Sequence, residues 1–162
     1  MKLSLKNNLP LAILVIIAAV LVLGALIYLI YQVGLGQGLH KGKVSIRGTS
    51  ISVEVAQTPE QLAKGLSGRS GLGANNGMLF AFKDSRYRNF WMNDLKFPLD
   101  IIWIADDTII GIEANVPAPL KDQQNLPIYK SPSEANYVLE VNAGFAEKHN
   151  FNVGDNIQID IK

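Results

Sequence analysis

Hydrophobic and polar positions follow two unlike patterns along this chain. Leu9 to Ile30 is a run of 22 residues without a charge and without a polar face. As a helix rising about 1.5 Å per residue, such a run crosses a ~30 Å hydrocarbon layer. Beyond residue 43 the pattern changes to short stretches with a period of two. Val44 and Ile46 share one face of a first strand, and Ile51, Val53 and Val55 share one face of a second. Gly48-Thr49-Ser50 lies between them, which predicts a β-hairpin.

Thr58-Pro59-Glu60-Gln61 carries the signals of a helix start. Threonine caps, proline suits the first turn and glutamine completes a capping box, so a short helix is expected over 59–65. The glycine-rich LSGRSGLGANNG that follows reads as loop. MLFAF (78–82) is too short and too aromatic for a helix and reads as a buried strand. Strands are also expected at Asn89–Asn93 and Asp100–Ala105 around a bend at Pro98, with TIIGIEANV as a return strand after Asp106-Asp107. Residues 115–136 form a polar connection whose prolines at 117, 119, 127 and 132 argue against helix or inner strand. YVLEVN (137–142) is a strand, AGFAEKHN a helical turn and NIQIDI a last strand. About eight strands and two short helices without a βαβ rhythm indicate a mainly β domain: a compact antiparallel sandwich or jelly-roll-like barrel, preceded by one N-terminal transmembrane helix.

The flanks of the apolar run set its expected role. It is longer than a signal-peptide core, no small-residue cleavage site follows, and an uncleaved anchor is the preferred reading over a cleaved signal peptide. Lys2 and Lys6 precede it, while Lys41 and Lys43 follow at a distance, which favours a cytoplasmic N-terminus. The expected organisation is a cytoplasmic segment at 1–8, an anchor at 9–31, a glycine-rich tether at 32–43 and an extracytoplasmic domain at 44–162, in the periplasm or at the cell surface.

Charge then narrows the partners. Residues 44–162 hold all 14 acidic residues but only 11 of the 15 basic ones, a formal charge of −3. Phosphate backbones require a basic surface, so nucleic acid is an unsuited partner. The absence of cysteine excludes disulfides, thiolate ligands and a lipidated cysteine. His40 and His149 have no second ligand at metal-binding spacing, and neither a Ser–His–Asp arrangement nor a phosphate loop is present. No metal site or cofactor is expected.

Four segments in order resemble one family: GLSGR (65–69), GMLFAF (77–82), FWMNDLKFPLDIIWI (90–104) and YVLEVNAGFAEKHNFNVGD (137–155). Together they resemble the domain of unknown function 192 family, also called the uncharacterised ACR family, over about residues 53–160. Asn93-Asp94-Leu95 stands where that family commonly has Lys-Asn-Thr. The resemblance implies a compact, mostly antiparallel β domain, often behind a signal peptide or anchor, and implies no reaction.

The candidate chemistry lies in those segments. Asp100 opens an apolar strand. Glu140 shares a strand face with Val138 and Asn142, while Tyr137, Leu139 and Val141 take the other face. Two neighbouring carboxylates can serve as acid and base, as in glycoside hydrolysis, whereas a structural carboxylate instead accepts backbone amides or meets a basic partner. Arg69 can clamp an anionic group or tie its own loop to a carboxylate. Phe90, Met92 and Trp103 are expected in the core, and Trp91, between two asparagines, is the aromatic most suited to stack on a ligand. Two functions remain open: a binding or accessory module for a small polar or glycan ligand, using Arg69, Trp91, Asp100, Glu140 and Asn142, or a hydrolase-like enzyme using Asp100 and Glu140.

Overall fold

The computed structural model describes residues 10–35 and 38–161; the expected cytoplasmic segment at 1–8 and tether positions 36 and 37 lie outside the described residues. The chain divides into two units, 1–38 and 39–162. In the first, α1 runs over Leu11–Leu35, and its stretch Leu11–Ile30 is long and apolar enough to cross a membrane. None of that stretch is buried against protein, as expected of a helix whose apolar sides face lipid or a signal sequence that is removed.

The second unit begins with β1 (His40–Ile46) and β2 (Thr49–Ala56), then α2 (Pro59–Lys64) and β3 (Asn76–Arg86). β4 (Asn89–Phe90), β5 (Leu99–Ala105), β6 (Thr108–Val116), β7 (Tyr129–Lys130) and β8 (Ala135–Asn142) follow, and α3 (Phe145–Lys148) leads to β9 (Ile157–Ile161). The β1–β2 hairpin turns on Arg47 (φ 49°) and Gly48 (φ 79°), two left-handed residues whose twist matches that of the flanking strands. α2 starts with the expected reciprocal cap: Gln61 N donates to Thr58 Oγ1 (3.3 Å), and Thr58 N donates to Gln61 Oε1 (3.1 Å).

Seven strands form one sheet in the order β6-β5-β8-β3-β2-β1-β9, and β4 and β7 form a separate small ribbon. The outer strands of the large sheet meet. Ile109 N donates to Asp155 O (3.0 Å), Gly154 N to Ile109 O (2.8 Å) and Ile157 N to Asp107 O (2.7 Å), around a bridge between Thr108 and Asn156. These contacts close the sheet into a barrel at this end, through one bridge and its neighbouring backbone bonds rather than a full ladder.

Two cores result. The barrel interior takes one face of each strand of the large sheet, including Val44, Val53, Leu79, Ile104, Leu139 and Ile157, and α3 plugs it with Phe145 and Ala146. A second core covers the outer face of β3, β8 and β5 with Phe80, Val138, Ile101 and Trp103, beneath Leu66, Met92 and Leu95 of the loops. This explains why β3, β5 and β8 are apolar on both faces while β1 and β9 are apolar on one.

Three expectations are corrected. The sheet is mixed rather than antiparallel, because α2 and its glycine-rich loop carry the chain across and set β2 parallel to β3. The strand expected over Asn89–Asn93 stops at Phe90, since the chain turns where Asp94 takes a φ of 51°. The proline-rich connection agrees with the expectation of neither helix nor inner strand: its one strand, β7, lies between Pro127 and Pro132 and pairs only with the short β4. The expected tether is mostly regular structure. α1 reaches residue 35, and Gly42 is a strand residue whose missing Cβ lets Asp160 O approach to 2.9 Å of that position.

Candidate functional site

Strand register settles the two carboxylates first. β5 and β8 run antiparallel with Asp100 opposite Val141 and Ile101 opposite Glu140. Side chains alternate along each strand, so Asp100 enters the barrel interior while Glu140 projects from the outer face. The two groups stand on opposite faces of the sheet and cannot share a substrate as acid and base.

Asp100 is fully buried and fully employed. Its Oδ1 accepts from Asn115 N (2.8 Å) and Gly144 N (3.0 Å), and its Oδ2 from Ala146 N (2.9 Å). The Asn115 amide is freed by a bulge, where β5–β6 pairing shifts register and Asn115 adopts a φ of 56°. The other two amides begin α3, whose own N-cap is a glycine without a capping side chain. One carboxylate therefore satisfies two irregular pieces of backbone, the amide-accepting role weighed for Asp100.

Glu140 has the opposite circumstances. It is 4 % exposed and has no hydrogen-bond or ion-pair partner among the described residues. Met78 and Ile101, both fully buried, flank it across the two neighbouring strands. Burial in this apolar setting pushes its carboxyl from the ordinary 4.5 up to about 8, so it is protonated at neutral pH.

Glu140 lines a cavity of about 210 Å³. The end of α2 and the turn after it supply Gly65, Leu66 and Ser67; Phe80 and Phe90 form an aromatic wall; Trp91, Asn93 and Leu95 come from the opposing loop. The Phe80 and Phe90 rings meet edge to face at 4.8 Å, and Phe90 meets Trp103 likewise at 5.5 Å. Ser67 Oγ donates to Asn93 O (2.8 Å) and Gly68 N to Asp94 O (3.0 Å), which ties the two loops together. Gly65 is required where it stands. Its φ is 49°, and a Cβ there would lie 3.1 Å from the Phe80 ring. Trp91 is 57 % exposed although it lines the cavity, so it stands at the rim.

The remaining candidates lie elsewhere. Arg69 pairs with Glu54 of β2 beside a separate open hollow that includes Ser52 and Asn76, and it meets neither Asp100 nor Glu140. Asn142 shares the outer face with Glu140, but its Nδ2 donates to Gly73 O (3.0 Å) and holds the glycine-rich loop. Trp91 and Glu140 are thus the two sequence candidates brought to one place. Sequence reasoning missed Phe80, Ser67 and Asn93 as lining residues, although each lies in a segment already singled out by family resemblance. It also missed Arg88, whose buried guanidinium stacks on Phe82 at 3.8 Å, donates through Nε to Ala135 O (2.9 Å) and pairs with Asp84 (2.7 Å). Every face of Arg88 so described is occupied by protein, and it serves the fold. Among the described residues no group of three or more His, Asp or Glu side chains is placed to hold a metal ion.

Comparison with known proteins agrees with this architecture. The model of the DUF192 family, described as Uncharacterized ACR, matches residues 42–159. A crystal structure from Sinorhizobium meliloti 1021, described as a "putative transcription regulator", is 31 % identical. The match covers 76 % of this chain and 96 % of that one, with a TM-score of 0.69. A protein of unknown function from Novosphingobium aromaticivorans DSM 12444 is 28 % identical over 73 % of this chain and 83 % of its own, with a TM-score of 0.63. No curated protein matches. With the family match spanning nearly the whole β unit, and with the four motif segments all contributing to the cavity wall, the chain belongs to the DUF192 family of uncharacterised ACR proteins.

Proposed function

We propose that this protein is a membrane-anchored binding module whose extracytoplasmic β domain captures a small ligand in the Glu140–Trp91 cavity. One observation carries the reading: a buried carboxyl with no protein partner faces a walled cavity. An unsatisfied buried polar group costs free energy in the empty state. A ligand that supplies the missing partner recovers that cost on binding, which is how a pocket gains selectivity from one polar group. The aromatic walls and the rim tryptophan suit an apolar ring or the flat face of a sugar.

Anchoring rests on α1, its flanking lysines and the lack of a cleavage motif. A hydrolase using Asp100 with Glu140 is set aside because the sheet stands between them. The description of the Sinorhizobium relative is not carried over to a direct nucleic-acid role, since residues 44–162 are net acidic.

The test is a fragment screen on the isotope-labelled protein, reading backbone amide shifts. Hits should cluster at 65–67 and 89–95 and be lost in Trp91→Ala. Hits confined to the Arg69 hollow would sink this assignment. For the anchor, protease added to right-side-out vesicles should digest the β domain; protection of that domain would refute the proposed orientation.

A further inference from the structure

From the composition of the cavity we infer that its ligand carries a cationic head group, a protonated amine or a quaternary ammonium, on a small apolar body. This rests on the cavity being a binding site and deepens that reading.

Three observations converge. Glu140 is the sole acid lining the cavity, and it has no partner among the described residues. An ammonium group both satisfies its oxygens and compensates its charge, which a hydroxyl does only in part. Next, Phe80, Phe90 and Trp91 line the same space, and the negative faces of aromatic rings attract cations. Finally, one nearby charge, Lys64, opposes a cation, while the charge of the whole domain favours one. Lys64, exposed at the end of α2, is the other ionisable lining residue, and the strands flanking Glu140 present Met78 and Ile101. The domain as a whole carries −3, so a cation is drawn toward it and an anion repelled at long range.

Binding is coupled to a proton. At neutral pH the empty site holds Glu140 as the acid. When an ammonium enters, the carboxyl releases its proton to solvent and an ion pair forms between carboxylate and ammonium. No bond to carbon is made or broken, and no co-reactant is needed.

Three probes with one ring and three head groups test this: cyclohexylammonium, cyclohexanol and cyclohexanecarboxylate, titrated calorimetrically into the full chain in neutral nanodiscs at pH 7. The ammonium should bind at least about tenfold more tightly than the alcohol, a difference of ~1.4 kcal/mol. It should also release a proton, read as a heat that depends on the buffer, and the carboxylate should not bind. Glu140→Gln should lose the preference for ammonium while keeping the affinity for alcohol. If the alcohol binds as well as the ammonium, or Glu140→Gln keeps the ammonium preference, the cationic assignment falls and the cavity remains a binding site. If none of the three moves the amide resonances of the lining, the inference and the binding-site reading fall together.

Discussion

Replacing Glu140 by glutamine should alter the pH dependence of stability far more than stability itself. The carboxyl titrates at about 8 in the folded chain and near 4.5 when exposed. Between those values the folded state holds a proton that the unfolded state has released. The contribution of this group is therefore fully present below pH 4.5, declines as pH rises, and levels off above about 8. Its slope approaches ~1.4 kcal/mol per pH unit, and the whole window amounts to something on the order of 5 kcal/mol. Glutamine has nearly the same shape as a protonated glutamate and does not titrate. Wild type and Glu140→Gln should unfold alike at pH 5, and the variant should be the more stable by several kcal/mol at pH 8.5. The lowered carboxyls of Asp84, Asp155 and Glu60 act in the opposite sense and at more acidic pH, so they leave this window clear. The assay is urea unfolding at half-unit pH steps, followed by fluorescence of Trp91 and Trp103, both within the β domain. Parallel stability curves for the two proteins would refute the reasoning, because they would mean that Glu140 titrates alike in both states.

Other perturbations should sort structural from ligand-facing groups. Asp100→Ala strips partners from three backbone amides inside the barrel and should cost ~3–5 kcal/mol in urea unfolding, as for loss of a buried charged acceptor. Arg69→Ala removes a half-exposed ion pair with Glu54 and should change stability by less than about 1 kcal/mol by the same method. Gly65→Ala places a methyl group against the Phe80 ring at a left-handed position; a loss of ~1–3 kcal/mol and altered amide shifts at Phe90 should follow. Trp91→Ala should leave the unfolding midpoint unchanged within ~0.5 kcal/mol while abolishing the ligand-induced fluorescence change, since this ring is exposed.

Local rules made much of this fold legible. The capping box at Thr58, the two-residue periods of β1, β2 and β8, and the face assignment of Glu140 all depend on residues close in sequence, and each is found as read. The anchor-like helix was visible from apolar length alone. Closure of the sheet was not, because the β6–β9 contacts join residues far apart and rest on backbone atoms that any sequence possesses. Asp100 was ambiguous for a related reason. Its partners lie 15 to 46 residues away in a bulge and a helix start, so only the folded chain shows that its capacity is used. Phe90, Trp91 and Met92 were legible in part: a strand was expected through Asn93, whereas the chain turns after Phe90, and Trp91, the aromatic read as most suited to meet a ligand, stands exposed at a rim. Arg69 carried no sign of its partner, because Glu54 lies on a neighbouring strand reached only through the parallel crossover. The cavity itself emerges from four separate segments, and that its acid lacks a partner among the described residues becomes apparent only in the folded chain.

The most direct measurement is the titration of the Glu140 side-chain carboxyl by carbon NMR, with and without cyclohexylammonium, resonance assignment coming from Glu140→Gln. The account predicts a midpoint near 8 in the empty protein and a downward displacement when the ammonium is present. A midpoint near the ordinary 4.5, unmoved by the ammonium, would contradict it.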